Sequence, residues 1–134
     1  MGELQVRLVA ADREVWSGTA TMVVAKTTEG EIGILPSHEP VLALLVDGVV
    51  RIEEVGGTRV VAAVHGGYFS VDSDQVAILA ETAELASEID VERAKRAIER
   101  ATPEAPDDTA QSAALIRGET RVRAAMTHRQ TSRR

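Results

Sequence analysis

Residues 29–40 read Glu29-Gly30-Glu31-Ile32-Gly33-Ile34-Leu35-Pro36-Ser37-His38-Glu39-Pro40, and no other stretch of this chain restricts the fold as strongly. Glycine allows positive φ or close approach of the backbone, and each proline fixes its own φ and favours extended geometry in the preceding residue. We therefore expect a stiff loop that presents Glu29, Glu31, His38 and Glu39. Taken in isolation, such a loop is typical of a structural turn between two strands.

The residues on both sides of this loop have the hydrophobic pattern of β-strands. Apolar and polar residues alternate over residues 4–10, and further strands are expected at residues 21–25, 41–46, 49–53, 59–64, 68–71 and 75–80. Between them we expect hairpin turns at Asp47-Gly48 and Gly56-Gly57 and further turns at Gly66-Gly67 and 72–74. This spacing predicts a β-sandwich or barrel. Because residues 41–46 are apolar on both faces, that strand should be buried on both faces or covered by a partner.

The hydrophobic period becomes helical at Asp90, which is a plausible N-cap. A three-turn helix is expected up to Ala101, and the two prolines within residues 102–108 end it. A second helix should begin at Asp108 or Thr109, and Gly118 within it costs about 1 kcal/mol relative to alanine. Neither helix carries enough large side chains to be stable alone, so both must pack on each other, on the β domain or on a partner.

The composition excludes several classes of protein. A chain of 134 residues with 44% apolar content supports one domain, or one domain with a small appendage. The absence of cysteine excludes a disulfide framework and a thiolate metal site. The three histidines, His38, His65 and His128, have no neighbours at metal-ligand spacing, so we expect no metal. No apolar run approaches the ~18 residues that a membrane span needs.

The charge is unevenly distributed along the chain. Residues 1–87 carry 5 basic and 13 acidic residues, whereas residues 88–134 carry 10 basic and 8 acidic residues. An acidic body argues against nucleic acid as its partner. The basic tail could contact phosphate or an acidic protein surface, but for residues 127–134 we expect a solvated, frayed terminus. We divide the chain into a β-sandwich domain, residues 1–87, and a helical hairpin with this tail, residues 88–134.

Five motifs follow one another in a characteristic order. The first is the segment from Glu29 to His38, and the last is Ile89-Asp90-Val91-Glu92-Arg93-Ala94 at the start of the helical region. Those between them are Leu45-Val46-Asp47-Gly48, Gly66-Gly67-Tyr68-Phe69-Ser70-Val71 and Val76-Ala77-Ile78-Leu79. The ordered set closely resembles the epsilon subunit of bacterial F-type, proton-translocating ATP synthases. The resemblance covers residues 4–101 well and residues 102–134 loosely.

The resemblance implies a mainly β fold with C-terminal α structure, a ten-stranded β-sandwich followed by a two-helix hairpin. It implies a non-catalytic subunit of the central stalk, at the cytoplasmic face of the cell membrane, bound to the gamma subunit and the c-ring. Such a subunit couples proton translocation to ATP synthesis and restrains ATP hydrolysis. The absence of a G-x-x-x-x-G-K-[ST] phosphate loop fits a non-catalytic subunit.

The resemblance also implies a possible regulatory ATP site in the hairpin, although no cofactor is required. The matching positions are Glu84, Asp90, Arg93 and Arg100. An arginine can clamp phosphate, and carboxylates can accept from the adenine amino group or the ribose hydroxyls. The simpler alternative is that Asp90 caps the helix and that Arg93 pairs with an acid such as Glu84. From the second helix, Arg121 or Arg123 could contribute.

The partner contacts follow from the same resemblance. We assign Glu29 and Glu31 to the c-ring, where their carboxylates could pair with arginine. We assign His38 and the apolar strand after it, with Val41 and Leu42, to the gamma subunit, because an apolar strand beside this loop would otherwise be exposed. In an extended hairpin, arginines of the second helix would meet the catalytic alpha and beta subunits: Arg117, Arg121 and Arg123.

Two other classes of function remain open from the sequence. One is a free-standing ATP-sensing module, which tight ATP binding would favour, whereas an exposed hydrophobic patch would favour an assembly. The other is a small β-sandwich enzyme that uses His38 and Glu39. In an enzyme these two residues would converge on a concave pocket rather than project from a rim.

Overall fold

A computed structural model describes the backbone of residues 2–101 and 109–132 and the side chains of residues 2–99 and 116–128. A 3₁₀ turn, Ala86–Glu88, separates the strands from the helices. The strands are β1 Leu4–Val9, β2 Glu14–Thr27, β3 Gly30–Ile34, β4 Val41–Leu44, β5 Gly48–Glu54, β6 Arg59–Asp72 and β7 Gln75–Leu85. The helices are α1 Val91–Ala101 and α2 Thr109–Ser132.

The strand pairing closes on itself. β1 pairs in parallel with β7 and antiparallel with β2. β6 lies between β7 and β5, and β5 pairs with β2, so the order β1-β7-β6-β5-β2 returns to β1. β3 pairs with β2, and β4 pairs with β6. The sheet therefore folds over on itself as a β-sandwich with its apolar side chains inside.

The core of the sandwich is aliphatic, with one aromatic side chain. In β1 the buried and exposed residues alternate, as the period of a half-buried strand requires. Side chains from both ends of the chain's β region meet in this core, and the largest fully buried ones are Phe69, Leu4, Leu8, Ile34, Ile52 and Ile78. The fold of residues 4–85 thus depends on strands that are distant in sequence.

Two glycines lie in the middle of β6, between the halves of the strand that pair with different partners along one edge. Residues 59–64 of β6 pair with β5, residues 68–71 pair with β4, and residues 62–72 pair with β7 along the other edge. Gly66 and Gly67 have φ values of 65° and 110°. A Cβ atom on Gly67 would lie 2.0 Å from the carbonyl oxygen of Leu79. Only glycine can occupy position 67 without displacing β7.

The expected sandwich followed by two helices is confirmed, but the structure has seven strands rather than ten among the described residues. The seven strands also differ from the seven segments expected from the sequence, because residues 59–64 and 68–71 form one strand and Gly30–Ile34 form an additional one. In particular, Gly66-Gly67 is a bend inside β6 and not a turn between strands. The hairpin expected at Asp47-Gly48 is wrong as well, because β4 and β5 both run antiparallel to β6 and the chain does not reverse there. The turns at Gly56-Gly57 and 72–74 are confirmed.

The helices pack against the sandwich through a second, smaller apolar cluster. It joins β6 to the start of α1 and to the C-terminal half of α2, and its members are Val61, Ala63, Ala86, Ile89, Val91, Ala124 and Ala125. The helices meet at Gly118, where a Cβ atom would lie 2.7 Å from Cγ1 of Ile98. Gly118 therefore permits close helix contact, in addition to the cost in helix propensity expected from the sequence.

Two expectations about the helical region are not tested by the described residues. The prolines expected to end the first helix, at positions 103 and 106, lie outside the described residues. α2 continues to Ser132, into the segment expected to be a frayed tail, and its fraying stays a prediction. The division at residues 87–88 also stays a prediction, although β7 ends at Leu85 and α1 begins at Val91 on either side of it.

The bend in β6 predicts unequal effects of two glycine substitutions. Gly67→Ala should lower the free energy of unfolding by at least about 3 kcal/mol, because its Cβ atom would collide with the backbone of β7 in addition to the strain of positive φ. Gly57→Ala is the matched control, since Gly57 has a φ of 92° but no atom within 4 Å of its Cβ position. Its loss should be about 1 kcal/mol. Urea unfolding of both variants measures the difference, and equal losses would contradict the role given to Gly67.

Candidate functional site

The acidic loop between β2 and β3 is held by the hydroxyl group of Thr27. This hydroxyl donates to the carbonyl oxygen of Gly30 at 2.8 Å and accepts from the backbone N–H of Glu29 at 3.2 Å. The side chain of Thr27 is buried, while Glu29 and Glu31 are exposed. Glu31 forms an ion pair with Arg51 of β5 at 3.0 Å. The loop therefore presents one carboxylate that has no ion pair with a described residue, Glu29, and one that is already paired.

The segment Pro36-Ser37-His38 forms a tight turn fixed to the hairpin between β6 and β7. The N–H of His38 donates to the carbonyl oxygen of Leu35 at 3.2 Å. Ser37 has a φ of 70°, and its N–H donates to a carboxylate oxygen of Asp74 at 2.6 Å. The single stiff loop expected over residues 29–40 is only partly present, because Gly30–Ile34 form β3 and divide it into two turns. The geometry of the second turn depends on an acid 37 residues further along the chain.

His38 and Glu39 do not form a catalytic pair. Nδ1 of His38 lies 2.7 Å from the backbone carbonyl oxygen of Glu39, and the side chain of Glu39 is exposed. Three pockets in the described part of the molecule are lined by other residues. The two side chains project from a turn, so the geometry that an enzyme site would need at these positions is not formed.

An apolar patch covers the outer face of β4, β6 and β7. Leu44 lies opposite Tyr68 across β4 and β6, and Tyr68 lies opposite Leu79 across β6 and β7. Cross-strand partners share a face of the sheet, so the three side chains form one row, and Leu42 lies two residues before Leu44 on the same face. Their exposed fractions are 76% for Leu42, 49% for Leu44, 54% for Tyr68 and 47% for Leu79. We call these four residues the β4–β6–β7 patch.

The patch partly matches the contact residues expected from the sequence. Leu42 belongs to it, whereas Val41 is half-buried and faces the core. Leu44 lies in the strand that was assigned to the gamma subunit as a whole, whereas Tyr68 and Leu79 were not assigned as contact residues. No local pattern in the sequence marks Tyr68 and Leu79, because each is a normal strand residue whose outward direction depends on the pairing register.

Residues 41–46 were expected to be buried on both faces or covered by a partner. In β4 one face is half-buried against the core and the other is exposed. The patch lies between the two loops. The N–H of Thr28 donates to the carbonyl oxygen of Leu44 at 3.0 Å, so the acidic loop adjoins one end of β4. The turn at Ser37 leads into the other end.

The hairpin is attached to the sandwich by an ion pair between Glu84 of β7 and Arg121 of α2. Nε of Arg121 donates to Oε1 of Glu84, and Nη2 lies 3.4 Å from Oε2, so both carboxylate oxygens are engaged. About a quarter of each side chain is exposed. Partial burial and a two-point contact make this pair stronger than an ordinary surface ion pair.

The residues expected to form an ATP site are only partly brought together. Asp90 caps α1, since its carboxylate accepts from the N–H of Arg93 at 3.1 Å, as the simpler alternative required. The pairing of Arg93 with Glu84 is wrong, because Arg121 occupies that carboxylate. The side chain of Arg93 is exposed and forms no ion pair with any side chain that the structure describes. The side chain of Arg100 lies outside the described residues.

The arginines of α2 point in different directions. Arg117 is exposed, Arg121 is bound to Glu84, and Arg123 is exposed beside β2 and β5. Within the described residues there is no group of three or more His, Cys, Asp or Glu side chains that could hold a metal ion. Among the same residues, no helix is both long and apolar enough to cross a membrane.

The architecture itself defines a class of protein. Among the described residues it is a small β-sandwich with an apolar outer patch between two polar loops, and the helical hairpin is attached by small side chains and the ion pair of Arg121 with Glu84. These features are typical of a binding subunit whose surfaces face partners.

Comparison with known proteins identifies the family. Residues 3–86 match the family model described as ATP synthase, Delta/Epsilon chain, beta-sandwich domain. The chain is 56% identical over 115 residues to the ATP synthase epsilon chain of Streptomyces griseus. This alignment covers 86% of the present chain and 92% of the relative. It is 56% identical over 128 residues to that of Thermobifida fusca, with 92% of each chain covered. This chain belongs to the ATP synthase delta/epsilon family, and as an epsilon-type subunit it is not itself catalytic.

A solved structure shares the fold. It is a cryo-EM structure of the mitochondrial ATP synthase of Euglena gracilis that contains OSCP, F1 and the c-ring. A chain in it superposes with a TM-score of 0.72 at 25% identity, over 100% of this chain and 83% of that one. The resemblance read from the five motifs is confirmed.

The ion pair between Glu84 and Arg121 predicts a measurable attachment energy for α2. In a double-mutant cycle with Glu84→Gln and Arg121→Gln, the coupling energy should be about 1 kcal/mol. Arg7 and Glu14 form the control pair, since they are 3.5 Å apart with 67% and 50% of their side chains exposed. Their coupling should be at most a few tenths of a kcal/mol. Hydrogen exchange of the α2 amides gives the first coupling energy and exchange of the β1 and β2 amides gives the second, and equal couplings would contradict the attachment.

Proposed function

We propose that this chain is the central-stalk subunit that joins the gamma subunit to the c-ring, couples proton translocation to ATP synthesis and restrains ATP hydrolysis. The observation that carries the proposal is the β4–β6–β7 patch between two loops of defined geometry. Isolated domains seldom expose several large apolar side chains in one row, and such a row usually marks a protein interface. As part of that assembly, the chain would lie at the cytoplasmic face of the cell membrane.

The patch and the turn beside it suit the gamma subunit. Leu42, Leu44, Tyr68 and Leu79 offer apolar area, and a tyrosine gives a large contact area with a polar end. His38 lies in the turn that precedes β4, where it could add a polar contact at the rim. Because the four patch residues are already exposed, binding there would remove apolar surface from water without unfolding the sandwich.

The acidic loop suits the c-ring. Glu29 is exposed and has no ion pair with a described residue, while Glu31 shares its carboxylate with Arg51. Of the two, Glu29 can therefore accept a basic partner without losing an existing contact. Exposed charge pairs contribute about 0.2–1 kcal/mol each, so this loop would orient the contact more than it would strengthen it.

ATP is proposed as a regulatory ligand of the hairpin. Arg93 and Arg100 of α1 would hold the phosphates, and Glu84 and Asp90 would receive the nucleoside. Arg121 is the additional residue that the structure brings to this position, because it already contacts Glu84. The free-standing sensor remains the alternative function, and the exposed patch favours the assembly over it.

The patch predicts that binding to the assembly can be separated from folding. Leu42→Thr combined with Leu44→Thr should weaken binding to the gamma subunit and c-ring at least tenfold, because about 1.5 kcal/mol or more of apolar burial is lost per leucine. Threonine keeps the β propensity, and both leucines are exposed in the free subunit, so its melting temperature should change little. Val55→Thr is the control, since Val55 is 41% exposed in the turn between β5 and β6. Unchanged reconstitution of the double variant would refute this interface.

The packing of the hairpin suits a movable brake on hydrolysis. Its contact with β6 is made by small side chains, chiefly Ala124 and Ala125 of α2 against Val61 and Ala63. Small side chains bury little area, so the folded hairpin is held weakly and an extended state lies within reach. Extension would release Arg117, Arg121 and Arg123 toward the catalytic alpha and beta subunits.

The brake predicts a gain of hydrolysis on truncation. Removing residues 103–134 should raise ATP hydrolysis by the whole complex several-fold, since an equilibrium bias of about 1.4 kcal/mol is a tenfold change in population. ATP synthesis should persist, because the sandwich and its patch are intact. Removing only residues 129–134 is the control, as it leaves Ala124 and Ala125 in place. Hydrolysis and synthesis are measured in membrane vesicles, and an unchanged hydrolysis rate after the longer truncation would show that the hairpin is not the brake.

A further inference from the structure

A basic pocket lies between α2 and the outer face of the sandwich. Its volume is about 230 Å³, and its polar lining residues are Lys26, Glu31, Arg51, Arg123 and Thr127, with Val49 at its apolar wall. Four elements supply them: β2, β3, β5 and α2. None of these residues belongs to the set Glu84, Asp90, Arg93 and Arg100. Of the pocket residues only Arg123 was also a candidate for the ATP site, and it is Arg121 that contacts Glu84 there.

The pairing register places the charges of this pocket on one face. Lys26 lies directly opposite Glu31 across β2 and β3, and Arg51 lies opposite Val24, two residues before Lys26. The stem of Lys26 crosses Gly48, where a Cβ atom would lie 3.0 Å from Cβ of Lys26. A larger residue at position 48 would displace this stem. The sheet thus holds two cations beside one carboxylate, and α2 adds the guanidinium of Arg123 above them.

The charges of the pocket are not balanced. Glu31 and Arg51 are paired at 3.0 Å. Lys26 and Arg123 form no ion pair with any side chain that the structure describes. Two cations therefore face the same space with no carboxylate of their own, in a domain that is otherwise acidic. Like charges held together raise the electrostatic energy of the folded hairpin, and a bound anion would remove that cost.

We propose that this pocket binds a phosphate chain, either free or on a nucleotide, and that the bound chain fixes α2 against β2 and β5. A volume of about 230 Å³ holds several times the roughly 30 Å³ of one water molecule, which is ample for two linked phosphate groups. Arginine matches phosphate oxygens with two parallel N–H donors, and lysine adds a point charge. Because Arg123 belongs to the helix and Lys26 and Arg51 to the sheet, the ligand selects the folded hairpin.

The test is a titration of the isolated full-length chain with pyrophosphate at low salt, in which calorimetry measures the binding. Lys26→Gln and Arg123→Gln should each weaken binding about tenfold, the effect of one charge-assisted hydrogen bond. Glu31→Gln should strengthen binding several-fold, because it removes the competing carboxylate and releases Arg51. Arg96→Gln is the matched control, since Arg96 is exposed on α1, away from the pocket, and its loss should leave binding unchanged.

Hydrogen exchange distinguishes a clamp from simple ion binding. Pyrophosphate should slow exchange of the amides of residues 120–128 in the wild-type chain and leave them unaffected in Arg123→Gln. Absence of pyrophosphate binding at millimolar concentration would overturn the proposal. Equal weakening in Arg96→Gln and Lys26→Gln would also overturn it, because binding would then follow net charge alone.

Parallel titrations with inorganic phosphate, pyrophosphate and ATP identify the source of the phosphate. Equal affinity for pyrophosphate and ATP indicates a site that recognises linked phosphate groups alone. Tighter binding of ATP indicates a nucleotide site. If ATP binding is lost in Arg93→Gln and retained in Lys26→Gln, the nucleotide occupies the α1 site and this pocket is excluded for it. These measurements use the free subunit, so their outcome is independent of the assembly proposed above.

Discussion

The close approach of Gly67 to the carbonyl oxygen of Leu79 is the constraint on which the rest of the structure depends. β6 pairs on one edge with β5 over its first half and with β4 over its second half, in one continuous register, and on the other edge with β7 over residues 62–72. Gly66 and Gly67 lie at positive φ between the two halves, where β6 packs directly against the backbone of β7. Tyr68 and Leu79 pair immediately after this close approach and lie beside Leu44 of β4, so the packing at Gly67 adjoins the apolar patch.

The two apolar clusters of this protein differ in strength because their side chains differ in size. The sandwich buries Phe69 and many leucine, isoleucine and valine side chains, whereas the contact between α2 and β6 depends largely on alanines. Burial of larger side chains removes more apolar surface from water, so the sandwich should persist when the hairpin opens. The two-point contact of Arg121 with Glu84 adds directionality to an otherwise weak attachment. The hairpin movement proposed above would require this difference.

The surfaces of the chain are organised by charge as well as by apolarity. The acidic loop at Glu29 lies at one end of β4, the turn at Ser37 at the other end, and the patch between them. Beneath α2 the surface is basic instead of acidic or apolar, because Lys26 and Arg123 face a pocket without carboxylates of their own. An apolar face suits a protein partner that excludes water, and a basic pocket suits a small anion. The sequence places these residues far apart, and only the paired strands bring each group together.

The sequence by itself determined the kinds of element and the family. The alternation in β1, the glycine and proline spacing at 29–40, the cap at Asp90 and the order of the five motifs are local patterns, and local backbone preferences are enough to read them. Tertiary structure decided the rest: the bend at Gly66-Gly67, the direction of Leu44 and Tyr68, and the choice of Arg121 over Arg93 as the partner of Glu84. Register and helix docking join residues tens of positions apart, and a shift of one residue in a strand reverses which face each side chain occupies.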